Sequence, residues 1–390
     1  MICKHFHTCG GCEVFDSYEN QIANKTQKFK DLFGFFPDFI FKSPQNGFRS
    51  RAEFRIIFEP YPYDPLNQIP PKIFLSTSAK SKNFRIPITS CLILLPHLQD
   101  QILQLPLLLS SSPLLYHKLY AINLLGNLSK DSIITLIYHK PLDEKWKQSA
   151  QELAKKLKCS LIGRSKNQKI VIGSEMITNS ITLQYPSPHN QKSISNTLYL
   201  SHLSNTFSQP NPFINQKMLQ FIIDTITPHE RTDLLEMYCG SGNFTLVLSK
   251  LFRKIFATEI VKSALNMLKQ NQEKNHISNI IPARLSGGET IEALSFKRKF
   301  FRLKSIDLSE FNFSHILVDP PRSGIQDKTI LSFLSKFETI IYISCNPTTL
   351  QQDLIFLLQT HQVEKSAIFD QFPHTHHLES AIILKKNKRC

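Results

Sequence analysis

The sequence predicts an α/β chain whose last part, residues 206–390, folds as a Rossmann-like domain, and three observations predict it. From residue 216 onward, short apolar runs rich in β-branched residues alternate with amphipathic helical segments, the pattern of a parallel sheet covered by helices. A glycine-bearing turn, Cys239-Gly240-Ser241-Gly242-Asn243, joins one such run (Asp233 to Tyr238) to an apolar-faced helix expected from Phe244 to Phe252. A buried-strand pattern from Thr339 to Ser344 stops at Asn346-Pro347, because proline cannot continue the ladder and restricts the residue before it.

The N-terminal part, residues 1–45, opens with Cys3, Cys9 and Cys12, with Gly10-Gly11 between the last two. Such glycines let a loop wrap a metal centre. Three thiolates fall one short of the usual four, and Cys91 or Cys159 could supply the fourth. A helix follows from Ser17 to Phe33, with apolar positions at Tyr18, Ile22, Phe29, Leu32 and Phe33.

Residues 46–205 read as a central α+β domain. Gly47 to Ile56 alternates basic and apolar residues, so one strand face would present Arg49 and Arg51, with Glu53 and Arg55, as a phosphate-contacting surface. Residues 57–82 read as loop and short hairpin, Ser132 to Tyr138 as a strand, and Glu144 to Leu157 as a Lys-rich amphipathic helix. The leucine-rich stretch from Leu92 to Leu115 is too interrupted by proline and polar residues to span a membrane. Ser204 to Asn215 is the expected entry to the last domain, and Lys297 to Lys304 an RNA-touching insertion or a solvated connection.

Composition bounds the function. The chain has 390 residues, 46 Lys and Arg against 31 Asp and Glu, and a formal charge of +15, with a pI near 9.4. That balance favours a polyanionic partner, nucleic acid above all. No apolar leader follows Met1, so a cytoplasmic protein is expected, with its eight cysteines serving as thiols, metal ligands or catalytic groups.

In the last domain, Thr245 occupies the third glycine position of a dinucleotide loop, which fits a nucleoside without a pyrophosphate, S-adenosylmethionine, better than NAD. A second strand, Lys254 to Glu259, ends in an acid suited to ribose hydroxyls. Cys345 lies where a strand stops, the place for a nucleophile in an open α/β sheet, with Val318-Asp319-Pro320-Pro321-Arg322 about twenty residues before it.

Taken together, the cysteine cluster, the glycine loop, Asp319 to Arg322, Ser344 to Pro347 and Phe369 to Glu379 resemble the S-adenosylmethionine-dependent RNA uracil-5 methyltransferases, over nearly the whole chain. The resemblance implies a class I methyltransferase domain with Cys345 as nucleophile and Glu379 as base. It sets Gln209, Tyr238, Gly240, Asn243, Glu259 and Asp319 around S-adenosylmethionine, and makes Cys3, Cys9, Cys12 and Cys91 the ligands of a [4Fe–4S] cluster. The implied chemistry is addition of the Cys345 thiolate at C6 of a uridine, methyl transfer to C5, and removal of the C5 proton by Glu379. Arg322, His376 and His377 are the neighbours expected to favour the thiolate.

The resemblance is to the cluster-bearing ribosomal-RNA type, but without its N-terminal β-barrel. Gln209-Pro210-Asn211 and Asp370-Gln371-Phe372 resemble the transfer-RNA branch, which usually lacks the cluster. Weight given to the cysteines makes 23S ribosomal RNA the expected substrate and the T-loop uridine of tRNA the alternative. A monomer is expected. Two competing readings are an amino-group methyltransferase, which places an aromatic residue where Arg322 stands, and a non-catalytic RNA-binding protein, which has no need of Cys345 and Glu379.

Overall fold

The computed structural model describes residues 3–59, 71–80, 84–186, 193–226 and 231–387. Helix α1 (Tyr18–Phe33) starts at Ser17, whose side chain accepts from the Asn20 N–H, and ends at Gly34 in the left-handed conformation. The short strand β1 (Phe39–Phe41) then pairs in parallel with residues 367–369, so the N-terminal region adds an edge strand to the C-terminal sheet.

A second, 7-stranded sheet is built from the middle of the chain. Its members are β2 (Arg51–Glu59), β3 (Lys72–Ser78), β4 (Arg85–Ile88), then, after α2 (Pro96–Ser110) and α3 (Pro113–Tyr116), β5 (Leu119–Gly126) and β6 (Ser132–Tyr138). Helix α4 (Glu144–Leu157) crosses over to β7 (Ser160–Ser165), and β8 (Gln168–Ile172) closes the order β4-β3-β2-β5-β6-β7-β8. Only β6 and β7 pair in parallel, as their helical connection requires. The expected hairpin is the antiparallel β2–β3 pair, while residues 60–70 and 81–83 of that region lie outside the described residues. Apolar residues of α2, α3 and α4 cover one face of this sheet in a single core that includes Leu98, Leu105 and Trp146. Among the described residues no helix is long and apolar enough to cross a membrane.

Strands β9 (Met176–Tyr185) and β10 (Ile194–Leu203) form a separate antiparallel hairpin. It packs Leu183, Tyr185, Leu198 and Leu200 into the core of the C-terminal layer, so contacts run across residue 205. That layer comprises α5 (Pro212–Thr225), β11 (Asp233–Met237), α6 (Thr245–Leu248), β12 (Ile255–Thr258), α7 (Lys262–Lys274), β13 (Ile280–Ala283) and α8 (Gly287–Leu294). It continues with β14 (Phe313–Val318), α9 (Lys328–Leu334), β15 (Thr339–Ser344), α10 (Pro347–Leu357), β16 (His361–Phe369) and β17 (Glu379–Lys386).

Its 8-stranded sheet has the order β1-β16-β17-β15-β14-β11-β12-β13 and carries a buried core on each face. Strands β11 to β15 are parallel, and β17 alone among its neighbours runs the opposite way. This is the Rossmann-like arrangement the sequence predicts. The helix expected to reach Phe252 is shorter, because the Ser249 hydroxyl turns back to the Leu246 carbonyl and the Asn279 amide takes the carbonyls of Ser249 and Phe252. The Lys297 to Lys304 segment is anchored by buried Phe300 and Leu303 and by a bond from Arg302 to Glu289, while its lysines and Phe301 stay exposed.

Candidate functional site

Strand register brings the two principal side chains together. Residues Ser344 and Ser380 are the last partners of the antiparallel β15–β17 pair, so one step further sets Cys345 opposite Glu379. On the other side of β15, Val318 is level with Tyr342, and Asp319 follows Val318 out of the sheet. Three acidic groups thus share the carboxyl edge of β14 and β15. A parallel strand ends there as an antiparallel one begins, and two remote sequence positions become neighbours.

Charge and burial set their states. Burial, and then Asp319, push the Glu379 carboxyl well above the ordinary carboxylate range, while Arg322 opposes the shift. Asp319 is pushed up to about 7 by desolvation. The Cys345 thiol is also raised, first by burial, then by Glu379 and Asp319; Arg322, hydrogen-bonded to it, pulls the other way and does not prevail. Arg322 favours the thiolate as expected, but burial and two acids outweigh one guanidinium. Neither His376 nor His377 contributes to the thiol's shift, and His377 is itself lowered by burial and by Arg322.

The segment carrying Asp319 and Arg322 hangs from α10. Both oxygens of Asp353 are used: Oδ2 accepts from the Tyr342 hydroxyl at 2.5 Å and the Ile325 N–H at 2.8 Å, and Oδ1 from the Gln326 N–H at 2.9 Å. The Arg322 carbonyl accepts from Asn346 Nδ2 at 3.0 Å. Gly324 sits at φ +73°, and a Cβ there would lie 2.9 Å from the Thr349 Cβ and 3.1 Å from Asp353 Oδ2. Only glycine fits this approach. Sequence reasoning missed Asp353, since an acid inside a helix reads as a solvated face until its partners are known.

The glycine loop lies beside this edge, after β11. Tyr238, Gly240 and Gly242 all take left-handed backbone conformations, which bends the chain sharply above the strand end. Glu259, at the end of β12, accepts from the Gly240 N–H at 3.1 Å and the Val261 N–H at 2.7 Å, and so braces the loop. Asn243 exchanges two 2.9 Å hydrogen bonds with Asn215 of α5, and Gln209 accepts from Gln371 at 2.8 Å. The predicted cofactor residues thus gather on loops around the carboxyl ends of β11, β12 and β14, with Gln209 joined to the turn after β16. Two further groups were not found from sequence. One is Asn215; the other is Glu236 on β11, fully buried, raised to about 8 by desolvation, with Oε2 unpartnered.

Cys3, Cys9, Cys12 and Cys91 line one cavity of about 350 Å³, together with Arg49 and His374. Cys159 lies elsewhere, on a surface with Lys130 and Lys158. Burial and the other three thiols push Cys12 up to about 12, and burial with Cys9 and Cys3 pushes Cys91 up to about 11, against the pull of Arg49. The donor chemistry suits a soft metal centre. Among the described residues, however, no group of three or more His, Cys, Asp or Glu is arranged to hold a metal ion. What the structure shows of the expected [4Fe–4S] centre is four thiols lining one cavity. The loop is tied by its own backbone, with the Cys9 sulfur accepting from the Gly11 N–H and Gly10 bonded to the Ser78 carbonyl.

The arginine face of β2 is also corrected. Arg51 donates to the carbonyls of Thr206 and Ser204 at 2.6 and 3.0 Å, and Arg49 to the Arg51 carbonyl at 2.8 Å. Arg51 thus fastens the interdomain connection and Arg49 faces the thiols, and neither is free to offer a phosphate surface. Arg55 stacks over Tyr120 at 4.1 Å.

The profile of the family described as tRNA (Uracil-5-)-methyltransferase matches residues 17–387. A tRNA/tmRNA (uracil-C(5))-methyltransferase of Helicobacter hepaticus is 44% identical, covering 100% of both chains. Proteins of the same name from Nitratiruptor sp. and Wolinella succinogenes are each 40% identical, over 99% and 100% of this chain and 100% of their own. The crystal structure of Pyrococcus abyssi tRNA (uracil-54, C5)-methyltransferase with S-adenosyl-L-homocysteine superimposes with a TM-score of 0.69 at 18% identity, over 94% of this chain and 83% of that one, a likeness of fold. The names of these proteins specify tRNA or tmRNA, against the ribosomal substrate expected from the cysteines.

Proposed function

The chain belongs to the tRNA (uracil-5-)-methyltransferase family and is an S-adenosylmethionine-dependent RNA uracil-C5-methyltransferase; on that premise we propose that its substrate is the T-loop uridine of transfer RNA. The observation that carries the chemistry is the cross-strand juxtaposition of Cys345 and Glu379 beside Asp319 and Arg322. The names of the full-length relatives carry the substrate.

C5 of uracil is a weak nucleophile, and the arrangement is suited to overcoming this. The Cys345 sulfur adds at C6, forming the C6–S bond and moving an electron pair toward C5, with Arg322 hydrogen-bonded where thiolate charge appears. When bound, S-adenosylmethionine supplies an electrophilic methyl group to C5 and leaves as S-adenosylhomocysteine. Ionised Glu379 then takes the C5 proton; the C5–H pair reforms the C5=C6 double bond and the C6–S bond breaks, releasing the thiolate. Burial that raises the Glu379 carboxyl also makes its ionised form a stronger base, as a carbon-bound proton demands. For the cofactor, the sharp turn at Gly240 leaves room for a nucleoside, and Asn243, Gln209, Tyr238, Glu259 and Asp319 surround it.

The four convergent cysteines, Cys3, Cys9, Cys12 and Cys91, are proposed as ligands of a [4Fe–4S] cluster on donor chemistry and shared cavity alone. No step above runs through it. Iron and sulfide at about four each per chain after anaerobic purification would support this, and protein carrying zinc alone would overturn it.

The test of the main proposal has two arms. T-loop tRNA carrying 5-fluorouridine should trap a denaturation-resistant protein–RNA adduct with the wild type and none with Cys345→Ala, which should still bind S-adenosylmethionine. In a deletion strain, mass mapping should find 5-methyluridine missing from tRNA; its loss from 23S rRNA alone would overturn the substrate.

A further inference from the structure

One face of α1 is polar and buried at once. Tyr18, Gln21 and Lys25, at positions i, i+3 and i+7, are only 9%, 3% and 5% exposed. A helix buries an apolar stripe unless its polar groups have specific partners. Here each of the three has a partner in residues 370–374, within the connection that leaves β16 and delivers Glu379 at the start of β17. Lys25 Nζ donates to Asp370 Oδ1 at 2.6 Å and to the Phe372 carbonyl at 3.0 Å. The Tyr18 hydroxyl donates to Asp370 Oδ2 at 2.7 Å and accepts from the Ser43 N–H at 2.7 Å. Gln21 accepts from the His374 N–H at 2.8 Å.

The opposite side of the same connection is held too. The His374 carbonyl accepts from the N–H groups of Glu13 and Val14, and Gln371 donates to Gln209. Both ions of the Lys25–Asp370 pair are buried, with side chains 6% and 2% exposed. Such a pair is weak evidence for stability, because apolar residues of similar volume commonly serve as well. What it gives is one conformation: reach, direction and charge are all specified. Lys25 is also close enough to His377, two residues before Glu379, to affect its protonation, as is Arg322.

We propose that Lys25, assisted by Tyr18 and Gln21, is a positioning residue for proton abstraction: through Asp370 it fixes the 370–378 connection so that the Glu379 carboxylate meets the C5 proton. This rests on the reading of Glu379 as the base. It gives the N-terminal helix a part in the second half of the reaction and none in the first, since Cys345 and Arg322 are held from α10 and β15.

The experiment compares full-length wild type, Lys25→Met, Lys25→Arg and Glu379→Gln. Three quantities are measured: S-adenosylmethionine affinity, the rate of adduct formation with 5-fluorouridine tRNA, and, with unmodified tRNA, tritium release from [5-³H]uridine alongside the steady-state fraction of methylated covalent adduct. For Lys25→Met, cofactor affinity and adduct formation should stay within about threefold of wild type, tritium release should slow by roughly tenfold or more, and methylated adduct should accumulate. Lys25→Arg, which keeps the charge, should recover most of the release rate. Where Lys25→Met does not fold, Tyr18→Phe removes one bond to Asp370 and should shift the same partition less.

Adduct formation and tritium release falling in equal proportion would overturn the inference, reducing Lys25 to a structural anchor; so would unchanged release. Glu379→Gln separates the two levels of the argument. If it accumulates methylated adduct and Lys25→Met does not, positioning fails alone; if it accumulates none, the base assignment falls and the inference with it.

Discussion

At the scale of single residues, the site raises its acids above their ordinary range. Glu379 and Cys345 are both raised, by the same burial that shelters the reaction from water. The attacking species is the thiolate, and its fraction below the thiol's pKa rises with pH. Because that pKa lies above the ordinary 9.0, the rate of adduct formation with 5-fluorouridine tRNA should climb about tenfold per pH unit and still be climbing at pH 9. A plateau below that, measured under single-turnover conditions, would mean that substrate binding or Arg322 lowers the thiol far more than the free protein shows. Cys345 was legible in the sequence because a strand end can be read from local pattern, whereas Glu379 was reached only through the family resemblance of its motif. Their protonation was not legible: it depends on Asp319 and Arg322 approaching from another strand. Arg49 and Arg51 misled for the same reason, since alternation marks a strand face but not what that face meets.

At the scale of elements, the reacting edge is hung from helix α10 by Asp353, and Gly324 is where the two come closest. Periodicity located β11, β12, β15 and α1 within a residue or two, because each has a continuous apolar stripe or run. It overextended the helix after Asn243, where side-chain hydrogen bonds to carbonyls end the regular structure, and it did not find β1, a three-residue strand defined only by a partner more than 300 residues away. Gly324→Ala places a methyl group against Thr349 and Asp353 on a left-handed backbone. The strain should cost roughly 1–3 kcal/mol in unfolding free energy. Relief of that strain moves Asp319 and Arg322 together, so turnover should fall more than tenfold while the protein remains folded at room temperature. Calorimetry and kcat measured on one preparation check both; a destabilised variant with normal kcat would show that the loop's placement is not critical.

At the scale of the molecule, two kinds of electrostatics operate and salt separates them. The formal charge of +15 acts through solvent on a polyanion, whereas Glu379, 4% exposed, is shielded from mobile ions. The charge was legible from composition, but the identity of the RNA was not, because attraction to phosphates carries no sequence information. The cysteine loop, bonded to Ser78 of the central sheet and to His374 of the connection before Glu379, bridges the two sheets. If docking depends on the surface and chemistry on the buried edge, raising salt should act on one and not the other. Affinity for tRNA should fall by about 10³ or more between roughly 50 and 200 mM salt, as log K varies linearly with log salt for a protein neutralising several phosphates. The single-turnover rate at saturating tRNA should change less than about twofold over the same range, since the buried Glu379 and the half-buried Cys345 and Asp319 act on one another at distances that salt does not screen. A rate that fell in step with affinity would place a surface charge in the reaction itself, and Arg322, the exposed member of the site, would be the group responsible.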